Sequence, residues 1–180
     1  MDFLMTLRAI NRKIALLVGL LLLACAGFVL LDIVARQLGS SFGGTDEISG
    51  YVMAIATSWG MAYTLLELGH VRIDFLRSGR PPLLRSLFDI LSMIVLSGTV
   101  VLIAIQCWPV LALSLKNSST ANTPLETPLA LVQWPWFAGW LWFAVMACLT
   151  TLAALRLILR GELEASEAAI GAFAEQETLQ

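Results

Sequence analysis

The stretch IALLVGLLLLACAGFVLL, residues 14 to 31, carries no charged, amide or hydroxyl side chain. At 1.5 Å per residue a helix over it covers most of an apolar layer about 30 Å thick. Helix is the expected form, because a backbone in lipid must satisfy its own hydrogen bonds. Three more runs without a charge follow, Ile48 to Leu66, Ile90 to Leu115 and Leu129 to Leu155. The expectation is an all-α membrane protein with four transmembrane helices over about 14–35, 48–67, 87–109 and 133–156. Together they make one domain over residues 1–160, followed by an acidic tail, 161–180.

Composition agrees with that reading. The chain is 58% hydrophobic and 13% charged, above the roughly 45–50% apolar content of soluble domains. A net charge of -2 offers no basic face to neutralise phosphates, so no nucleic-acid partner is expected. Cys25, Cys107 and Cys148 all lie inside apolar runs and read as buried thiols rather than a disulfide framework. Leu22-Leu23-Ala24-Cys25 loosely resembles a lipoprotein cleavage box. The run continues unbroken to Leu31 with no polar tether, so it reads as a retained span.

The basic residues set the expected orientation. Of 11 Lys and Arg residues, only Arg36 and Lys116 fall on one side. Arg8, Arg12, Lys13, Arg72, Arg77, Arg80, Arg85, Arg156 and Arg160 fall on the other. The positive-inside rule then places both termini and the 67–89 connection in the cytoplasm. Trp108, Trp134, Trp136, Trp140 and Trp142 cluster around the outer ends of the third and fourth spans and read as an interfacial belt, with Trp59 alone in mid-span.

The connections are short. The outer loop NSSTANTPLETP, 117–128, is polar and punctuated by Pro124 and Pro128, and is expected to be extended and exposed to water. In the inner loop, Pro81 and Pro82 can open a helix and Arg85 with Asp89 has i, i+4 spacing, which predicts a short interfacial helix before the third span. The tail, with Glu162, Glu164, Glu167, Glu175 and Glu177 and no basic residue after Arg160, reads as solvated, with a frayed helix around 165–174.

Membrane enzymes, pumps and haem carriers place ionisable or ligating side chains at depth. The four apolar runs hold no Asp, Glu, Lys, Arg or His. His70 is the only histidine, so a bis-histidine haem site is excluded, and no catalytic, cofactor or metal residue is expected. The stretch ELGHVRID, 67–74, reads as the inner end of the second span, with His70 and Arg72 toward lipid phosphates or the last helix carbonyls and Asp74 holding an arginine. At the outer end, Thr45 is a good N-cap and Asp46 and Glu47 complement the positive helix end. Arg36 is within reach of either Asp32 or Glu47. Gly50, Ala54, Ser58 and Ala62 recur every four residues and form a small-residue stripe suited to close packing, most simply within the chain.

These features, in order, resemble a known family. Arg36 after the first span, TDEISGY opening the second, Gly60 with Ala62, HVRID closing it, and PLALVQWPWFAG opening the fourth are similar to the small membrane subunit of tripartite ATP-independent periplasmic (TRAP) transporters, the DctQ-like family, over roughly residues 12–160. The resemblance implies a non-enzymatic bacterial inner-membrane scaffold. Its implied partners are a large membrane subunit, which holds the substrate and sodium sites, and a periplasmic binding protein that delivers organic acids, commonly carboxylates. Ala130 stands where the family often has an aromatic residue, leaving Trp134 and Trp136 for that contact. The alternatives are a membrane anchor for a redox enzyme and a small autonomous transporter.

Overall fold

A computed structural model describes residues 2–70 and 79–171. The described residues form five helices, α1 (Asp2–Gln37), α2 (Thr45–Leu66), α3 (Pro82–Lys116), α4 (Leu129–Leu159) and α5 (Leu163–Ile170). Two antiparallel hairpins, α1–α2 and α3–α4, meet where α2 packs on α4, while α1 touches α4 only slightly. Three helices, α1, α3 and α4, are long and apolar enough to cross a membrane. The 22-residue α2 has the length, about 33 Å at the helical rise, but Ser49, Tyr51, Thr57, Ser58, Tyr63 and Thr64 dilute its apolar character.

The exposed shell suits lipid. Leu16, Leu17, Leu20, Leu23 and Leu30 of α1 and Leu83, Leu91, Ile94 and Val95 of α3 are all more than half exposed, an apolar surface far larger than a protein in water presents. Inside, Ala62, Leu65, Leu66, Met93, Val100, Phe143, Met146, Ala147 and Ala154 make one core. Some polar groups at helix contacts pair across the helices. The hydroxyls of Ser97 and Thr151 lie 2.7 Å apart between α3 and α4. The Trp59 indole Nε1 donates to the carbonyl of Pro135, in α4, at 2.9 Å. Unpaired, such groups would be costly in an apolar medium, so each pairing also fixes helix register.

Three expectations are corrected. No separate interfacial helix precedes the third span over residues 79–89. Pro82 opens a continuous 35-residue helix with Pro81 as its cap, because a proline in the first turn has no N–H to lose. The outer loop is not extended. It turns back on itself, with Ala121 N–H donating to Thr127 O at 2.9 Å, Leu129 N–H to Ser119 O at 2.9 Å, and Thr120 bridging Pro128. The start of the tail is not solvated. Gly161, at φ 76, reverses the chain, and α5 packs back on α3 and α4 with Ser166, Ala169 and Ile170 buried. Residues 172–174 of the expected frayed helix lie outside the described residues.

Candidate functional site

A polar construction lies at the end of the bundle that holds the 38–44 and 117–128 loops. α1 ends in a turn in which Ser40 N–H reaches back to Ala35 O at 3.0 Å, with Gly39 at φ 82. The chain then folds down on α1, where the Phe42 ring stacks on Phe28 with centroids 5.9 Å apart. This brings the 41–43 backbone to Asp32, whose side chain is 1% exposed. Its Oδ1 accepts from Phe42 N–H at 2.9 Å and Ser41 Oγ at 3.1 Å. Its Oδ2 accepts from Arg36 Nε at 2.8 Å and Nη2 at 2.7 Å. Of the two carboxylates within reach of Arg36, the structure pairs it with Asp32.

Glu47 is turned the other way. Its Oε1 accepts from the Tyr51 hydroxyl at 2.7 Å, and the carboxylate faces the Thr123 and Thr127 hydroxyls and the Leu125 backbone of the outer loop, although Oε2 has no partner of good geometry. Thr123, then Tyr51, hold the Glu47 carboxyl below the ordinary carboxylate range, against the opposing effect of partial desolvation, with smaller help from Thr127 and Leu125. Asp46 remains exposed.

The N-cap of α2 is Gly44 rather than Thr45, and no side chain caps the helix. Gly44 has φ 66, and a Cβ there would collide with the Leu125 side chain. Thr45 is instead the first helical residue and is buried. A glycine is required twice over, by left-handed backbone and by close approach of the loop.

The small-residue stripe of α2 divides. Ser58 and Ala62 are buried, and Ser58 lies so close to Gly139 of α4 that a Cβ on Gly139 would come within 2.8 Å of the Ser58 Cβ and 2.9 Å of Trp59 Cδ1. Ala54 is half-buried and Gly50 is exposed with open space beside it. The tryptophans divide as well. Trp108 and Trp134 flank Phe137 at ring distances of 5.6 and 6.5 Å, and Trp136 is half-buried. Trp142 does not belong with them: it stacks on Trp59 at 6.4 Å and its Nε1 donates to Asn11 Oδ1 of α1 at 3.0 Å.

At the inner end, α2 closes with Leu68 at φ 57 and Gly69 N–H donating to Thr64 O at 2.8 Å. His70 stacks on Phe143 with centroids 6.1 Å apart. The last carbonyls are met by a residue the sequence did not single out, Arg8, whose Nε donates to Leu66 O at 3.2 Å. Fully buried Asn11 donates to Leu7 O at 2.9 Å and lies 3.3 Å from the Met146 sulfur. Its signal in the sequence was a polar residue one turn beyond Leu7, ahead of the basic pair. Arg72 and Asp74 lie outside the described residues. Among the described residues no three His, Cys, Asp or Glu side chains gather as a metal site, and the three cysteines are free thiols.

The family model for the DctQ component of tripartite ATP-independent periplasmic transporters matches residues 25–161. The chain belongs to this family. It is a transporter component family rather than an enzyme family, and the matched segment runs from the middle of α1 to the turn before α5. Comparison with curated proteins and with solved structures gave no match. The DctQ match therefore covers the last part of α1 and all of α2, α3 and α4, with the Asp32–Arg36 junction and the Ser58–Gly139 contact, while Arg8, Asn11 and α5 lie beyond it.

Proposed function

We propose that this chain is the four-span scaffold subunit of a TRAP transporter that imports organic acids, coupled to sodium, across the bacterial inner membrane. Its partners are a large membrane subunit, which binds substrate and sodium, and a periplasmic binding protein that docks on the outer surface. One observation carries the reading beyond the family. The buried acidic or basic side chains among the described residues are Asp32, in the last turns of α1, and Asp89, in the second turn of α3. Between those ends the buried polar groups are neutral ones such as Ser58, Ser97 and Thr150. A bundle that moved an ion or a carboxylate through itself would need charged or ligating groups at depth.

In this reading α2 is the fourth span, with both termini cytoplasmic. Its weaker apolar character is compensated by its position, since it packs on both α1 and α4. The outer junction then presents Asp46, Arg36 and the 117–128 loop to the periplasm. Gly50, Met53 and Thr57, the exposed face of α2, are the candidate contact for the large subunit. Topology and assembly test this together. A cysteine at Ser119 in a background without Cys25, Cys107 and Cys148 should react with an impermeant maleimide added to intact spheroplasts, and one at Glu164 should not. The tagged large subunit should retain the parent chain and lose Met53→Trp. Reversed labelling would contradict the orientation, and full retention of Met53→Trp would remove this face from the contact.

A further inference from the structure

The two hairpins meet chiefly where α2 packs on α4, with a smaller contact of α1 on α4 in which Asn11 meets Trp142 and Met146. So narrow a seam leaves the crossing angle of the hairpins to depend on how their ends are tied. At the outer end the tie is the loop that closes over Gly44 and Glu47. At the inner end α2 stops at Leu66, and α5 packs on α3 and α4.

Four observations converge on that short helix. Gly161 reverses the chain in a left-handed conformation. Ser166 and Ile170 are fully buried. Glu167 Oε1 lies 3.2 Å from Arg85 Nη1 of α3. Arg8 of α1 donates through Nε to Leu66 O of α2 at 3.2 Å and through Nη2 to Ala168 O of α5 at 3.3 Å. Arg8 therefore joins three helices, and α5 touches one hairpin through Arg8 and the other through Arg85.

We propose that α5 is a strap that fixes the crossing angle of the two hairpins at the inner end. The surface this subunit offers a partner then depends on a segment remote from that surface. The ion pair alone is too exposed to hold the strap, since pairs of this kind are worth about 0–1 kcal/mol. Burial of Ile170 and Ala169 provides the hold, and Arg85 with Glu167 selects the register.

The test uses the full chain in lipid nanodiscs, with Cys25, Cys107 and Cys148 replaced by alanine. Ser166→Cys, on the buried face, should react with maleimide at least about tenfold more slowly than Glu164→Cys on the exposed face, because it must wait for local opening. Ile170→Asp, or Ile170→Ala if that variant does not fold, should remove the protection, whereas Glu167→Arg should lower it by no more than about fivefold. Adding Arg85→Glu to Glu167→Arg should return it. Spin labels at Lys13→Cys in α1 and Leu159→Cys in α4 should give one narrow distance distribution in the parent and a broader one in the undocked variant. Equal labelling of positions 164 and 166 in the parent would overturn the docking. An unchanged distance distribution in the undocked variant would overturn the strap.

Discussion

Replacing Gly139 tests the joint on which the two hairpins depend. A Cβ at this position would stand 2.8 Å from the Ser58 Cβ and 2.9 Å from Trp59 Cδ1, whereas carbon contacts settle near 3.5–4.0 Å. Gly139→Ala therefore requires α2 and α4 to part by up to about 1 Å, and a gap of that size forfeits a quarter to a half of each contact's attraction. Overpacking of this kind costs about 1–3 kcal/mol, while alanine in place of glycine returns about 0.8–1.0 kcal/mol of helix propensity. The expected net loss for alanine is about 1 kcal/mol, and Gly139→Leu should lose more because its added volume has nowhere to go. Thermal unfolding of the purified subunit in detergent, followed by tryptophan fluorescence, reads this directly, since Trp59 and Trp142 stack beside the contact. Ser58→Gly should restore part of the loss in the alanine variant, because it removes the atoms that clash. A Gly139→Leu variant as stable as the parent would refute the close approach of α2 and α4.

Gly44→Ala should destabilise the outer junction by about 1–2 kcal/mol from its left-handed backbone alone, and Leu125→Ala should relieve the added collision; the check is protease cleavage of the 117–128 loop. Asp32→Ala should cost more than Arg36→Ala in thermal unfolding, because it also removes the acceptor that organises Ser41 and the Phe42 backbone, whereas Arg36 is half-exposed. For Glu47, a folded pKa below the ordinary 4.5 means stability that is present above that value and lost as pH falls through the folded pKa. The parent should therefore lose stability below about pH 4.5 more steeply than Glu47→Gln, and equal pH profiles would show that the carboxylate is not held by the loop.

The helices were legible in the sequence because they are long runs whose only low-energy form in lipid is helical. The run after Asn11 could be read without knowing any partner, as could those after Asp89 and Pro128. The outer carboxylates were legible as a group, but their pairing was not, because Arg36 is one turn from Asp32 and the choice depends on where residues 41–43 fold. The loop at 117–128 looked extended from its polarity, and only the contact of Leu125 with Gly44 makes it a clasp. Trp142 shared a composition signal with Trp134 and Trp136, and its depth is decided by Asn11, far away in sequence. A helix around 165–174 could be read in the acidic tail, but its docking could not, because Ser166, Ala169 and Ile170 form a buried face only one helical stripe wide.

Uptake by reconstituted vesicles tests the central claim most directly: the large subunit, the loaded binding protein and a sodium gradient, with and without this chain. The account predicts sodium-driven organic-acid uptake in the full assembly and none from this chain alone or from an assembly lacking it. It also predicts that His70→Gln leaves the apparent substrate and sodium affinities of the full assembly unchanged. Uptake by this chain alone, full uptake in its absence, or a large affinity loss in His70→Gln at normal assembly would contradict a scaffold role.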